Sequence, residues 1–221
     1  YCSSCFKTCK LNYMINYSII QKSQLEGLHR LDSEYYQPEY LHIIGNLLKV
    51  KNVSLGSVTQ RITQGPNPIF TGIGKPSLNG RNIKNLRVVA EDSNYVSEQE
   101  FERNKNFEVK QDDILITLKG LGSIGKTGYV FKQVEAIFSR DIGLIRLNNP
   151  DLSKFIFAFL LSKYGSKQIE RSSTGGTGQL TLATTALKQI IIPEFKDEDI
   201  KLIASCIENG EEYYEQSNNF Y

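Results

Sequence analysis

Residues 111–132 read QDDILITLKGLGSIGKTGYVFK, and the reading of the glycines in the middle decides the fold. Before them, Ile114, Leu115 and Ile116 form a short apolar run of strand length that ends near Lys119. After them, TGYVFK at 127–132 is again rich in β-branched and aromatic residues. Between the two, Gly120, Gly125, Lys126 and Thr127 fit G-x-x-x-x-G-K-[ST], the P-loop pattern whose backbone N–H groups cradle nucleotide phosphates. Gly120, Gly122 and Gly125 also fit the dinucleotide pattern G-x-G-x-x-G. Both patterns need a helix directly after the glycines, because the phosphates sit on the unpaired N–H groups of its first turn. Gly128, Tyr129, Val130 and Phe131 make a poor first turn. The expected magnesium-holding acid is also missing, since Asp141 follows Phe138, Ser139 and Arg140 rather than an apolar strand. The order strand, glycine turn, strand therefore predicts a connection within a sheet. A P-loop-like NTP-binding enzyme acting through residues 120–127 is the competing reading.

Outward from this stretch the pattern is mixed. AIFSRDIGLIRL at 136–147 gives one or two further strands. Asn149 and Pro150 then introduce a helix, with Leu152, Phe155, Ile156, Phe159, Leu160 and Lys163 on one stripe. It halts near Gly165 and resumes to Arg171. SSTGGTGQ at 172–179 reads as a mobile surface loop, and LATTALKQIIIP at 182–193 as a short helix and a buried strand. The last segment is a helix capped by Asp197, with Ile200, Ile203, Ala204 and Ile207 along one face. Upstream, Leu41, Ile44, Leu47 and Leu48 predict a helix opening near Pro38. A short helix or strand about Val58 and Ile62 ends at Gly65 and Pro66. Residues 74–89 give two short strands around an Asn79-Gly80 turn, without helical signal.

The chain of 221 residues suits one domain with an appendage or two small domains. No apolar run approaches the length of a membrane span. The opening YCSSCFKTCK lacks a signal-peptide pattern, so residues 1–20 read as an N-terminal extension. Cys2, Cys5 and Cys9 are spaced C-x2-C-x3-C, but a closed zinc site needs a fourth ligand, with only His29 and distant Cys206 as candidates. No metal or cofactor is expected, and the cysteine usage fits a reducing cytoplasm. The net charge of +2 conceals a polarity: residues 51–90 carry six basic residues and no acid, whereas residues 194–215 carry eight acids and two lysines. The first stretch is a candidate polyanion surface and the second is not.

Catalytic constellations are thin. Glu108, Lys110 and Asp92 or Asp113 mimic the acid, acid and lysine set of a magnesium nuclease, but no apolar strand leads into a first acid. Asp112 and Asp113 read as opposite faces of one strand. His29 and His42 are the only histidines, and neither has a nucleophile beside it.

Five motifs in order resemble the target-recognition domain of the specificity (S) subunit of type I restriction–modification systems. They are RLDSEYYQPEY at 30–40, LGSVTQRITQG at 55–65, SLNGRNI at 77–83, QDDILITLKGLGSIGK at 111–126 and GTGQLTLATTALKQIIIP at 176–193. The family usually has glycine at the position of Gln111 or Asp112. The resemblance implies an α+β fold: a strand-rich mixed α/β DNA-recognition domain over 21–193, followed at 194–221 by the start of a long spacer and dimerisation helix. It implies a non-catalytic subunit that reads one half of a bipartite double-stranded DNA target. That subunit would direct methyltransferase and restriction subunits, alone or beside a second copy or second half, with no membrane. The recognition part of a fused restriction–methylation enzyme is the alternative within the family.

The polar set expected on DNA is Arg61, Gln64, Asn67, Lys75, Asn79, Arg81, Asn82, Lys84, Lys119, Lys126, Arg140, Thr174 and Gln179. Arginine pairs geometrically with guanine, and glutamine or asparagine with adenine. Ile200, Ile203, Ile207 and Tyr214 are the expected docking face for a partner protein, because an acidic helix is repelled by phosphates.

Overall fold

The computed structural model describes residues 17–22, 25, 31–120, 122–176 and 179–218. The cysteine-rich opening, His29 and Arg30 lie outside these residues. In chain order the first elements are α1 (Pro38–Leu48), β1 (Asn52–Ser54), α2 (Leu55–Val58), β2 (Thr59–Gln64), β3 (Phe70–Leu78), β4 (Ile83–Lys84), β5 (Arg87–Val88), β6 (Asn94–Val96) and α3 (Glu98–Arg103). β7 (Ile114–Thr117), β8 (Thr127–Tyr129), β9 (Ile137–Phe138), β10 (Ile142–Leu147), α4 (Ser153–Leu161) and α5 (Lys163–Ser172) follow. The chain closes with β11 (Thr174–Gly176), β12 (Gln179–Thr181), α6 (Thr184–Lys188), β13 (Ile191–Pro193) and α7 (Asp197–Asn218).

The sheet that organises the domain has the order β2-β10-β7-β8-β5-β4, with β5 and β8 its one parallel pair. β7 lies inside it and is buried on both faces, which is why its sequence ILIT is a continuous apolar run rather than an alternating one. Ile114 and Ile116 point into a core shared with Tyr129, Ile145 and the helices α4 to α6. Leu115, one residue out of phase, points into a second core with Leu78, Val130, Phe138 and Leu144. A three-stranded sheet, β6-β3-β9, flanks this second core.

Helix α4 is apolar nearly all round, and Phe157 is buried although it lies off the predicted stripe. The sheet takes one side of α4, and α7 packs on α4 as well. α4 and α5 are separate helices because Ser162 adopts an extended conformation and its hydroxyl accepts the Gly165 N–H, capping α5.

Four expectations change. Part of the stretch expected as a mobile loop is strand, with β11 paired antiparallel to β12 and Thr181 bridged to Lys119. Residues 80–82 form a 3-10 turn where no helical signal was read; the Asn79 side chain accepts from Arg81 N–H and the Asn82 side chain from Asn79 N–H. Asp112 and Asp113 are not on opposite faces of a strand, since they precede β7 in a turn where Asp112 has φ 68°. That turn aims Asp112 at the Tyr129 hydroxyl, 2.7 Å away, and buries Asp113 in a two-pronged pair with Arg146, each contact 2.7 Å. α3 was not anticipated.

Candidate nucleic-acid interface

The strand register brings four of the expected DNA-contacting residues to one end of the main sheet. Gly143 pairs with Gln64, Ile142 with Thr117, and Ile116 with Thr127. The C-terminal ends of β2 and β7 therefore lie beside the N-terminal ends of β10 and β8. Gln64, Lys119, Lys126 and Arg140 sit at or just past those four ends. Gln64 donates its side-chain N–H to the Arg140 carbonyl at 2.5 Å, which fixes the approach of Arg140 while its guanidinium stays exposed.

The glycine turn between β7 and β8 is built around Thr117. Gly120, Gly122 and Gly125 have φ of 138°, 69° and 76°, a region that side chains with a Cβ avoid. The Thr117 hydroxyl donates to the Ser123 carbonyl and accepts the Lys126 N–H at 3.0 Å, while the Thr117 carbonyl accepts the Gly125 N–H at 2.9 Å. The N–H groups of Gly125 and Lys126 are thus already used. Thr127 is buried, donates to the Gly125 carbonyl at 2.9 Å, and opens a strand instead of a helix. The P-loop reading loses its helix, two of its donors and its hydroxyl. The lysine side chains remain: Lys126 is exposed, Lys119 is half-buried, and neither has a carboxylate partner among the described residues.

The β11–β12 hairpin docks against the same end, because Leu182 N–H also bonds to the Leu118 carbonyl at 2.8 Å. Thr181 lies between Lys119 and Thr174, which is exposed one strand further out on β11. Gly80 lies close enough that an added Cβ would stand 3.1 Å from the Thr117 methyl, so Asn79 borders the end too.

Other expected contacts are engaged inside the protein. Asn82 is fully buried, and its amide donates to the Glu91 carbonyl at 3.0 Å and the Ser93 hydroxyl at 2.9 Å; it holds a turn and is not offered to a ligand. Arg61 donates to the Asn106 carbonyl at 2.5 Å with its guanidinium over the Phe107 ring. Arg81 donates to Asn79 and Asn94 side chains. Asn67 is exposed between β2 and β3.

The basic stretch over 51–90, expected as a candidate polyanion surface, is largely neutralised. Four of its six cations are ion-paired: Lys51 with Glu194, Lys75 with Glu135 and Glu98, Lys84 with Asp92, and Arg87 with Glu211. The Lys84 ammonium holds the Asp92 carboxyl below its ordinary range, and Lys75 does the same to Glu135. The neutralising acids all lie outside residues 51–90, from Asp92 just beyond the stretch to Glu194 and Glu211 in the acidic C-terminal stretch, so a local charge count misses them.

The docking face expected on α7 is turned inward. Ile200, Ile203 and Ile207 pack on the first core, and Tyr214 stacks 3.5 Å from the Arg87 guanidinium. The acids of α7 help to hold it there, with Glu208 to Lys154 at 3.0 Å, Glu211 to Arg87 at 2.5 Å and Glu215 to Lys132 at 2.6 Å. Among the described residues, the large apolar side chains that α7 shows to solvent are Leu202 and Tyr213.

The acids of the nuclease-like set do not converge, since Asp113 serves Arg146, Asp92 serves Lys84 and Glu108 lies by Lys105. Among the described residues there is no group of three or more metal-ligating side chains, and no helix is long and apolar enough to cross a membrane.

The family model described as type I restriction modification DNA specificity domain matches residues 68–212. No curated protein sequence matches the chain. Among solved structures, the type I restriction–modification S subunit from M. genitalium is similar, with TM-score 0.51 and 18% identity over 75% of this chain and 40% of that one. The type IIG restriction endonuclease BpuSI is similar with TM-score 0.61 and 9% identity, over 79% of this chain and 28% of that one. The chain spans less than half the length of either, and at these identities the likeness is one of fold.

Proposed function

From the premise that the chain belongs to the type I restriction modification DNA specificity family, we propose that it is a sequence-specific reader of double-stranded DNA that performs no chemistry itself. The observation that carries this reading is the gathering of Gln64, Lys119, Lys126 and Arg140 at one end of the sheet, beside a docked hairpin. Lys119 and Lys126, which have no carboxylate partner among the described residues, suit phosphates, and the guanidinium of Arg140, 3.9 Å from the Asp141 carboxylate, matches a guanine edge. The strands fix the positions of these groups at one end of a packed scaffold.

In this reading the domain recognises one half of a bipartite site in a cytoplasmic complex. Methyltransferase and restriction subunits supply the chemistry, and a second recognition domain supplies the other half. α7 sets the direction in which the chain leaves the domain towards that second half. Selection of bound duplexes from a random-sequence library tests the reading. It predicts enrichment of one short contiguous motif, lost when Arg140 and the β11–β12 hairpin are altered together. A bound pool with no motif, with the methyltransferase partner present, contradicts it.

A further inference from the structure

Three polar side-chain atoms in the described structure are buried without a hydrogen-bond partner: the hydroxyls of Ser77 and Ser139 and the amide nitrogen of Asn79. They are neighbours. β3 and β9 run parallel with Ser77 opposite Ile137 and Leu78 opposite Phe138, and Ser139 N–H donates to the Leu78 carbonyl at 2.8 Å. Side chains two apart on a strand share a face, so Ser77, Asn79 and Ser139 share the face opposite Leu78 and Phe138. Ser77 has no exposed surface and Ser139 has 6%. Protein interiors rarely leave such groups unpaired, because each has given up its water for nothing.

The location connects them to the DNA-facing end. Ser139 directly precedes Arg140, whose carbonyl is gripped by Gln64. Gly65 lies against the Phe138 and Ser139 backbone so closely that an added Cβ would stand 2.4 Å from the Ser139 carbonyl oxygen. Asn79 is oriented through its carbonyl oxygen, which accepts Arg81 N–H at 2.9 Å, leaving the amide nitrogen as the end without a partner.

We propose that Ser77, Asn79 and Ser139 form a latent phosphate socket at the DNA-facing end of the sheet, completed when DNA shifts the Arg140 corner and a phosphate oxygen takes up these donors. The proposal rests on the DNA-reading function above and adds residues outside the expected set, Ser77 and Ser139. A phosphate is favoured over a base because all three groups can donate, and a phosphate oxygen only accepts. Arg140 supplies the neighbouring charge.

The test is anisotropy of the full chain with a fluorescein-labelled duplex of random sequence, across a salt series, together with thermal unfolding of the same variants. Ser139→Ala is expected to weaken binding about tenfold to a hundredfold, as for loss of a hydrogen bond to a charged group. Its salt slope stays that of the wild type, because no charge is removed, and its Tm is unchanged or raised, because an unsatisfied hydroxyl is gone. Ser77→Ala combined with it weakens binding further. Wild-type affinity in both variants overturns the socket, and so does a lowered Tm with wild-type affinity, which would mean that the hydroxyls serve a bound water in the free protein. A wild-type chain that fails to bind the duplex contradicts the DNA-reading function instead.

Discussion

Arg87 on β5 holds Glu211 on α7 at 2.5 Å across 124 residues of sequence. Both side chains are mostly buried, at 15% and 16% exposure, and the Tyr214 ring closes over the guanidinium from 3.5 Å. One residue from the basic stretch and one from the acidic stretch thereby fix the direction in which the C-terminal helix leaves the domain.

Breaking that contact should loosen the helix before the body. Arg87→Ala leaves Glu211 without its partner and removes the surface under Tyr214, at a cost of about 3 kcal/mol. Hydrogen exchange should show α7 opening while β7 and β10 stay protected. Uniform protection across α7 in the variant would contradict the assignment.

Lysines at the glycine turn should act on DNA affinity and not on stability. Lys126→Ala is expected to lower the slope of log affinity against log salt by about 1 while Tm stays within about 2 °C. Lys84→Ala, which removes a lysine already engaged by Asp92, should lower the slope less, and titration with ATP and magnesium should show no saturable binding to either protein.

Asn82 gives the opposite pattern. Asn82→Ala strands the Asn79 N–H and the Ser93 hydroxyl and is expected to cost about 2 kcal/mol in urea unfolding. After correction for the folded fraction, the salt slope of DNA binding should match the wild type.

Alkaline pH should report on Tyr129. Burial pushes its phenol well above the ordinary value of 10, and the Asp112 carboxylate adds to the shift. A raised group contributes stability that is fully present below the unfolded value and lost as pH climbs through the folded one. Stability should therefore hold up to about pH 10 and fall above it. Tyr40, also raised by burial and by Glu170, acts in the same sense. Tm measured from pH 8 to pH 11 should fall less steeply in Tyr129→Phe than in the wild type.

Much of the fold was legible because its signals are local. The Pro38 start, the apolar run of β7 and the Asn149-Pro150 entry to α4 each need only neighbouring residues to be read, and the missing helix after Lys126 was enough to reject the nucleotide pattern. The candidate site was legible only in part. Lys119, Lys126, Arg140 and Gln64 stood out as polar residues beside turns, and the register gathered them. Asn82 and Lys75 looked no different in sequence, yet one is buried under its own turn and the other is held by Glu135, 60 residues away. The inward face of α7 was mistaken for a docking surface because an amphipathic stripe does not say whether its partner is another protein or the same chain. Ser77 and Ser139 were invisible, since an unpaired hydroxyl exists only once the surrounding atoms are placed.

The most direct measurement is the salt dependence of duplex binding by the full chain beside a triple variant, Lys119→Ala with Lys126→Ala and Arg140→Ala. The wild type should bind at low salt with an affinity that falls linearly on a log–log plot, and the triple variant should lose about 3 from the slope while unfolding at the wild-type temperature. Equal slopes for the two proteins would contradict the claim that this end of the sheet meets DNA.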